Sequence, residues 1–143
     1  MIIAIAQGIV ATARFADLAL GLAAPAFATN QLSGHYIETE TGAAGQSTTN
    51  DWYVTPCSDR CASINSNGGP LAQARLANGQ WTMDTTAIAA CPDGTRVPNA
   101  FSDHYTWDPN TLAGTVRITN TAGVCGKPAG DSGTINMQLR QAP

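Results

Sequence analysis

The chain has 143 residues, 43% of them hydrophobic and 12% charged, with a formal net charge of -3, a balance that describes one compact domain and excludes a charged disordered tail. Beyond Arg14 the cations Arg60, Arg75, Arg96, Arg117, Lys127 and Arg140 stand singly. No basic stripe neutralises a row of phosphates, so nucleic acid is not an expected partner.

The first 28 residues are rich in Ala, Leu and Ile and end in Ala26-Phe27-Ala28, the small-x-small pattern that a signal peptidase accepts. Residues 1–28 are therefore expected to form a signal helix cut after Ala28. The alternative is an uncleaved membrane anchor. Arg14 and Asp17 break the segment into uncharged runs of thirteen and eleven residues, short of the roughly 20 that span a bilayer. The remainder, 29–143, reads as a single domain that is secreted or held in the cell envelope.

That domain carries all four cysteines, Cys57, Cys61, Cys91 and Cys125. An even count in an exported chain points to two disulfides. Cys57 and Cys61 flank Ser58-Asp59-Arg60, a spacing that a tight turn closes, which leaves Cys91 for Cys125. A zinc site would want paired CxxC knuckles, and dithiol redox chemistry a CxxC; the spacing provides neither. No metal or other cofactor is expected.

From residue 34 onward short alternating segments follow one another between turn residues, and no dozen-residue window keeps helical spacing free of Gly or Pro. Eight antiparallel strands are expected: 34–40, 51–55, 61–66, 71–76, 80–85, 101–108, 113–120 and 134–141. Asn78-Gly79, between two alternating runs, supplies the positive φ angles of a two-residue hairpin, and Asp108-Pro109-Asn110 makes a second tight turn. Consecutive short links make a meander. On about 115 residues it closes as a small up-and-down β-barrel, with a β-sandwich as the alternative.

Period-2 alternation assigns the inner face to Ile37, to Trp52 and Val54, Ala62 and Ile64, Trp81 and Met83, to Phe101, Asp103, Tyr105 and Trp107, to Leu112, Val116 and Ile118, and to Ile135, Met137 and Leu139. Bulky residues at so many inward positions leave little room for a ligand, which disfavours a lipocalin-like carrier of an apolar molecule. The same alternation turns His35 inward with Ile37, so that His35 and Asp103 form a candidate interior polar pair; the alternative places both at a wet rim. Tyr36 and Tyr53 fall on the outer face as candidate exposed contacts.

Gly130-Asp131-Ser132-Gly133 matches the tetrapeptide around the serine nucleophile of chymotrypsin-like proteases, which raises a small secreted hydrolase using Ser132 with His35 or His104. The surroundings argue otherwise. A chymotrypsin-like enzyme needs about twice this length, an Ala-His-Cys context for the histidine and Gly-Gly after the serine, whereas the chain offers Ser33-Gly34-His35-Tyr36, Ser102-Asp103-His104-Tyr105 and Gly133-Thr134. A turn admitting the last strand accounts for the stretch. A metal site from His35, His104, Asp103 and Asp108 fails because His104 and Asp103 alternate across one strand.

Taken together, Gly34-His35-Tyr36, Trp52-Tyr53-Val54-Thr55-Pro56-Cys57 with Cys61-Ala62-Ser63, Asn78-Gly79-Gln80-Trp81, Cys91-Pro92-Asp93-Gly94-Thr95, Thr111-Leu112-Ala113-Gly114 and Cys125-Gly126 resemble a group of small exported mycobacterial proteins of unknown function. The resemblance implies export to the envelope or medium and a disulfide-bonded domain, of a kind that also stands outside the membrane in some kinase chains. It carries over no catalytic or ligand residue. The expectation is a non-enzymatic β domain that acts by binding an envelope component or a protein partner.

Overall fold

A computed structural model describes residues 31–121 and 123–143; the segment 1–28, read above as a signal or anchor, lies outside the described residues. Eight antiparallel strands, β1 (Gly34–Thr41), β2 (Ser47–Ser58), β3 (Cys61–Ser66), β4 (Gly69–Ala77), β5 (Gln80–Ala90), β6 (Arg96–Trp107), β7 (Ala113–Asn120) and β8 (Ser132–Gln141), pair in chain order. β8 returns to β1, so the meander closes into a barrel without a free edge. Among the described residues no helix is long and apolar enough to cross a membrane.

The turns follow local chemistry. Asn78 and Gly79 sit at φ 53° and 79°, and Asn67-Gly68 makes the same kind of turn at 52° and 87°, matching the twist of the flanking strands. Asp108 Oδ1 accepts hydrogen bonds from the amides of Asn110 and Thr111 at 2.7 and 2.8 Å and so caps the β6–β7 turn. Leu112, expected on the inner face of the seventh strand, precedes β7 at φ 62° and still packs, partly buried, against the main core.

Trp52, Trp81 and Trp107 fill the barrel with Ile64, Met83, Val116 and Leu139, all at most 1% exposed. Trp107 stacks on Trp81 with ring centroids 6.3 Å apart and meets Trp52 edge-on at 5.8 Å. Gly114 pairs with Trp107 across β6–β7. A Cβ there would stand 2.6 Å from Trp107 Cα and clash outright with Thr106 O, so only glycine allows this close approach.

The two disulfides close opposite ends. Cys57–Cys61 pins the β2–β3 turn and Cys91–Cys125, 34 residues apart, pins the β7–β8 connection. That connection, here called the strap, belongs to the far end, where the turns 42–46, 67–68 and 91–95 also lie. There β5 and β6 run longer than their alternation indicates, as an arm beyond the barrel. Their register shifts between Ala87 and Ala89, opposite Asn99 at φ 51°, a bulge that re-aims the arm. Val124 of the strap packs on Ala89 and Ala100 of the arm in a second small core.

Candidate functional site

The interior is apolar except toward the far end, and β1 is the reason. Tyr36 pairs with inward-facing Trp52, Glu38 with Leu139 and Glu40 with Met137. Directly paired residues share a face, so Tyr36, Glu38 and Glu40 point inward. This corrects the expected phase of β1: Ile37 and His35 lie outside, and Tyr36, expected on the surface, is buried at 8% exposure. Two adjacent apolar residues, Tyr36 and Ile37, give alternation no preferred phase; pairing with Trp52 and Leu139 sets it.

Glu38 is completely buried. Its Oε2 accepts a hydrogen bond from Asn50 Nδ2 at 2.9 Å, while Oε1 has no partner among the described residues. Burial pushes its carboxyl up to about 7, against the Asn50 bond and with further help from neighbouring Glu40. Tyr105 donates its hydroxyl proton to Glu40 Oε1 at 3.0 Å; burial first, then Glu40 and Glu38, raise the phenol. Asp103, half-buried with Oδ1 unpartnered, is pushed up to about 6 by burial and then by Glu40. No lysine, arginine or histidine forms an ion pair with these acids among the described residues. Ionising Glu38, Glu40 and Asp103 together sets like charges against one another in a partly desolvated interior, so Glu38 and Asp103 keep their protons to higher pH than free carboxyls do.

The far end also carries three cavities, while one of about 200 Å³ lies at the opposite end among Arg60, Leu76, Asn78 and Pro109. One of about 380 Å³ opens at the barrel mouth, lined by Phe101, Ile118, Asn120, Lys127, Asp131 and Ile135 among others. Beneath the strap a second of about 340 Å³ is walled by Ala90, Pro92, Phe101, Val124 and Cys125 and shares Asn120 and Lys127 with the first. A third of about 470 Å³ flanks the Cys91–Cys125 bond on the side of Asp93, Thr95 and Val97. The strap holds its place through the disulfide and through backbone bonds from Asn120 N to Asp131 O, Gly130 N to Asn120 O and Thr121 N to Ala100 O.

The proposed His35–Asp103 interior pair does not form. His35 stacks on exposed Tyr53 with centroids 4.4 Å apart and donates through Nε2 to Asp51 at 2.7 Å on the outer wall, while Asp103 stays inside. Ser132 is exposed on the outer side of β8, opposite Thr119 of β7. His104 also faces outward but lies two strands away, roughly 10 Å, and donates through Nδ1 to Asp84 of β5 at 2.7 Å, on its other side. Serine and histidine are thus not brought together. Gly130 adopts φ 86° as its turn requires, whereas a Cβ at Gly133 would meet nothing within 4 Å. No cluster of three metal-ligating side chains occurs among the described residues. Sequence reading missed the acids at 38 and 40, because an ETET run resembles a solvated strand face. It also missed the cavities, which arise only when the strap docks on the arm. Set against protein-family models, curated proteins and solved structures, the chain finds no match.

Proposed function

We propose that the chain is an exported, disulfide-stapled β-barrel that acts by binding, and that its contact site is the far end beneath the strap. One observation carries this reading: a barrel packed shut by three tryptophans keeps larger, adjoining cavities at one end, under a connection tied down by a disulfide, against one of about 200 Å³ at the other. Cavities of this size, mostly apolar with a few polar groups, are the usual form of ligand sites. The two disulfides are compatible with an oxidising, extracytoplasmic setting, and export would release or anchor the domain through residues 1–28. The packed interior weighs against a lipocalin-like chamber inside the barrel, and the separation of Ser132 from His104 weighs against a hydrolase.

A ligand that binds the native state raises its unfolding temperature by mass action. Concentrated cell-envelope or culture-medium extract should raise Tm of the wild-type protein. It should do so less for Ala90→Phe, whose ring fills the cavity under the strap. No rise, or an equal rise in both proteins, would contradict the reading.

A further inference from the structure

The polar side chains at the cavity beneath the strap are those of Lys127 and Asn120. Lys127 presents three ammonium donors and forms no ion pair among the described residues. Asn120, 8% exposed, uses one carboxamide N–H in a long 3.5 Å bond to Pro128 O, which leaves a second N–H. No carboxylate lines this cavity: Asp131 borders only the adjoining mouth, and Glu38, Glu40 and Asp103 border neither. The remaining wall is Ala90, Pro92, Phe101, Val124 and Cys125, residues with apolar side chains.

A lysine without an ion-pair partner among the described residues and a spare carboxamide N–H, set at the edge of a largely apolar groove, complement an anion with an apolar body. A single lysine is a point charge that suits a monoanion; a phosphate dianion would call for further cations or a run of backbone amides, and Lys127 is the one cation lining this cavity. The chain's net charge of -3 gives no long-range attraction to anions, so apolar burial must supply much of the affinity. About 340 Å³ holds roughly ten water-sized groups, the size of a medium-chain or aryl acid.

We propose that the cavity beneath the strap binds a monocarboxylate with an apolar body, its carboxylate held by Lys127 and Asn120 and its body against Phe101, Pro92 and Val124. This assignment rests on the far end being the binding site. The disulfide then has a functional part, since Cys91–Cys125 ties the strap that carries Val124 and Lys127 to the arm that carries Ala90 and Phe101.

The test is an amide NMR and calorimetric titration of the protein at pH 7 with sodium decanoate, and in parallel with decanamide and decylammonium. Decanoate should shift amides in 90–101 and 120–127 and bind more tightly than either analogue. Lys127→Met should weaken it by about tenfold and Lys127→Arg should largely preserve it. Lys127 is exposed, so both variants should keep the wild-type spectrum outside the strap. Equal binding of decanamide, tighter binding of decylammonium, or indifference to Lys127→Met would overturn the carboxylate assignment. If none of the three probes binds while extract still raises Tm in an Ala90-dependent way, the assignment falls and the binding role stands. If neither occurs, both fall.

Discussion

Replacing Glu38 by Gln should stabilise this protein at pH 8 and leave it nearly unchanged at pH 5. Glu38 is wholly buried, with a carboxyl raised from 4.5 to about 7. Between those values the folded chain binds a proton that the unfolded chain has lost. Stability is therefore fully present below about pH 4.5 and is lost as pH rises through 7. The span corresponds to about 3 kcal/mol at most, of which solvent access and relaxation leave about 1 to 3. Asp103, raised from 3.8 to about 6, acts in the same direction, with a smaller effect because it is half-exposed. Gln keeps an acceptor for Asn50 Nδ2 and a donor toward Glu40, so it reproduces the neutral acid at every pH. Thermal unfolding by circular dichroism at pH 5, 6, 7 and 8 should show wild-type Tm falling across the series. Glu38→Gln should unfold roughly 4 to 12 °C above it at pH 8. A flat wild-type profile, or a variant that tracks the wild type, would refute the reasoning about the interior acids.

Gly114→Ala should destabilise by about 2 kcal/mol or more, since its Cβ meets β6 backbone, while Gly133→Ala, with open space, should change Tm little. Leu139→Ala, at a 1% exposed position, should cost about 2 to 5 kcal/mol in denaturant unfolding, and half-buried Ile135→Ala less. Ser132→Ala should leave stability and decanoate binding beneath the strap intact, since Ser132 lines only the mouth cavity; turnover of an ester or peptide substrate abolished by this change would restore the hydrolase reading. Removing Cys91–Cys125 should cost about 3 to 4 kcal/mol on a loop-entropy basis and Cys57–Cys61 about 2, and only the first removal should weaken binding at the far end.

How far the sequence speaks for itself varies along the chain. The meander is legible because Asn78-Gly79 and Asp108-Pro109-Asn110 fix turns whose flanking residues alternate, and the disulfide pairing follows the spacing of Cys57 and Cys61. Strand extents are less legible where side chains are small: Thr86 to Ala90 gives no alternation, yet it pairs with β6 as an arm. The face of β1 is hidden for a different reason. Tyr36 and Ile37 compete for the inside, and acids at 38 and 40 would be assigned to solvent by any polarity rule. Only the register against Trp52 and Leu139 turns them inward. The candidate site is the least legible part. The stretch Val124 to Gly130 reads as turn, and its partners Ala90, Pro92 and Phe101 are remote in sequence, so the chamber exists only after the strap is tied to the arm.

The far end is proposed to be where this barrel meets its ligand. Amide shift mapping of the isotope-labelled protein, titrated with small-molecule extract of the cell envelope, tests that claim most directly. Shifts confined to the strap, the arm and the mouth, residues 90–101 and 118–135, are the predicted result. Shifts centred instead on the outer wall at His35 and Tyr53, or on the opposite end around Asn78 and Asp108, would contradict it.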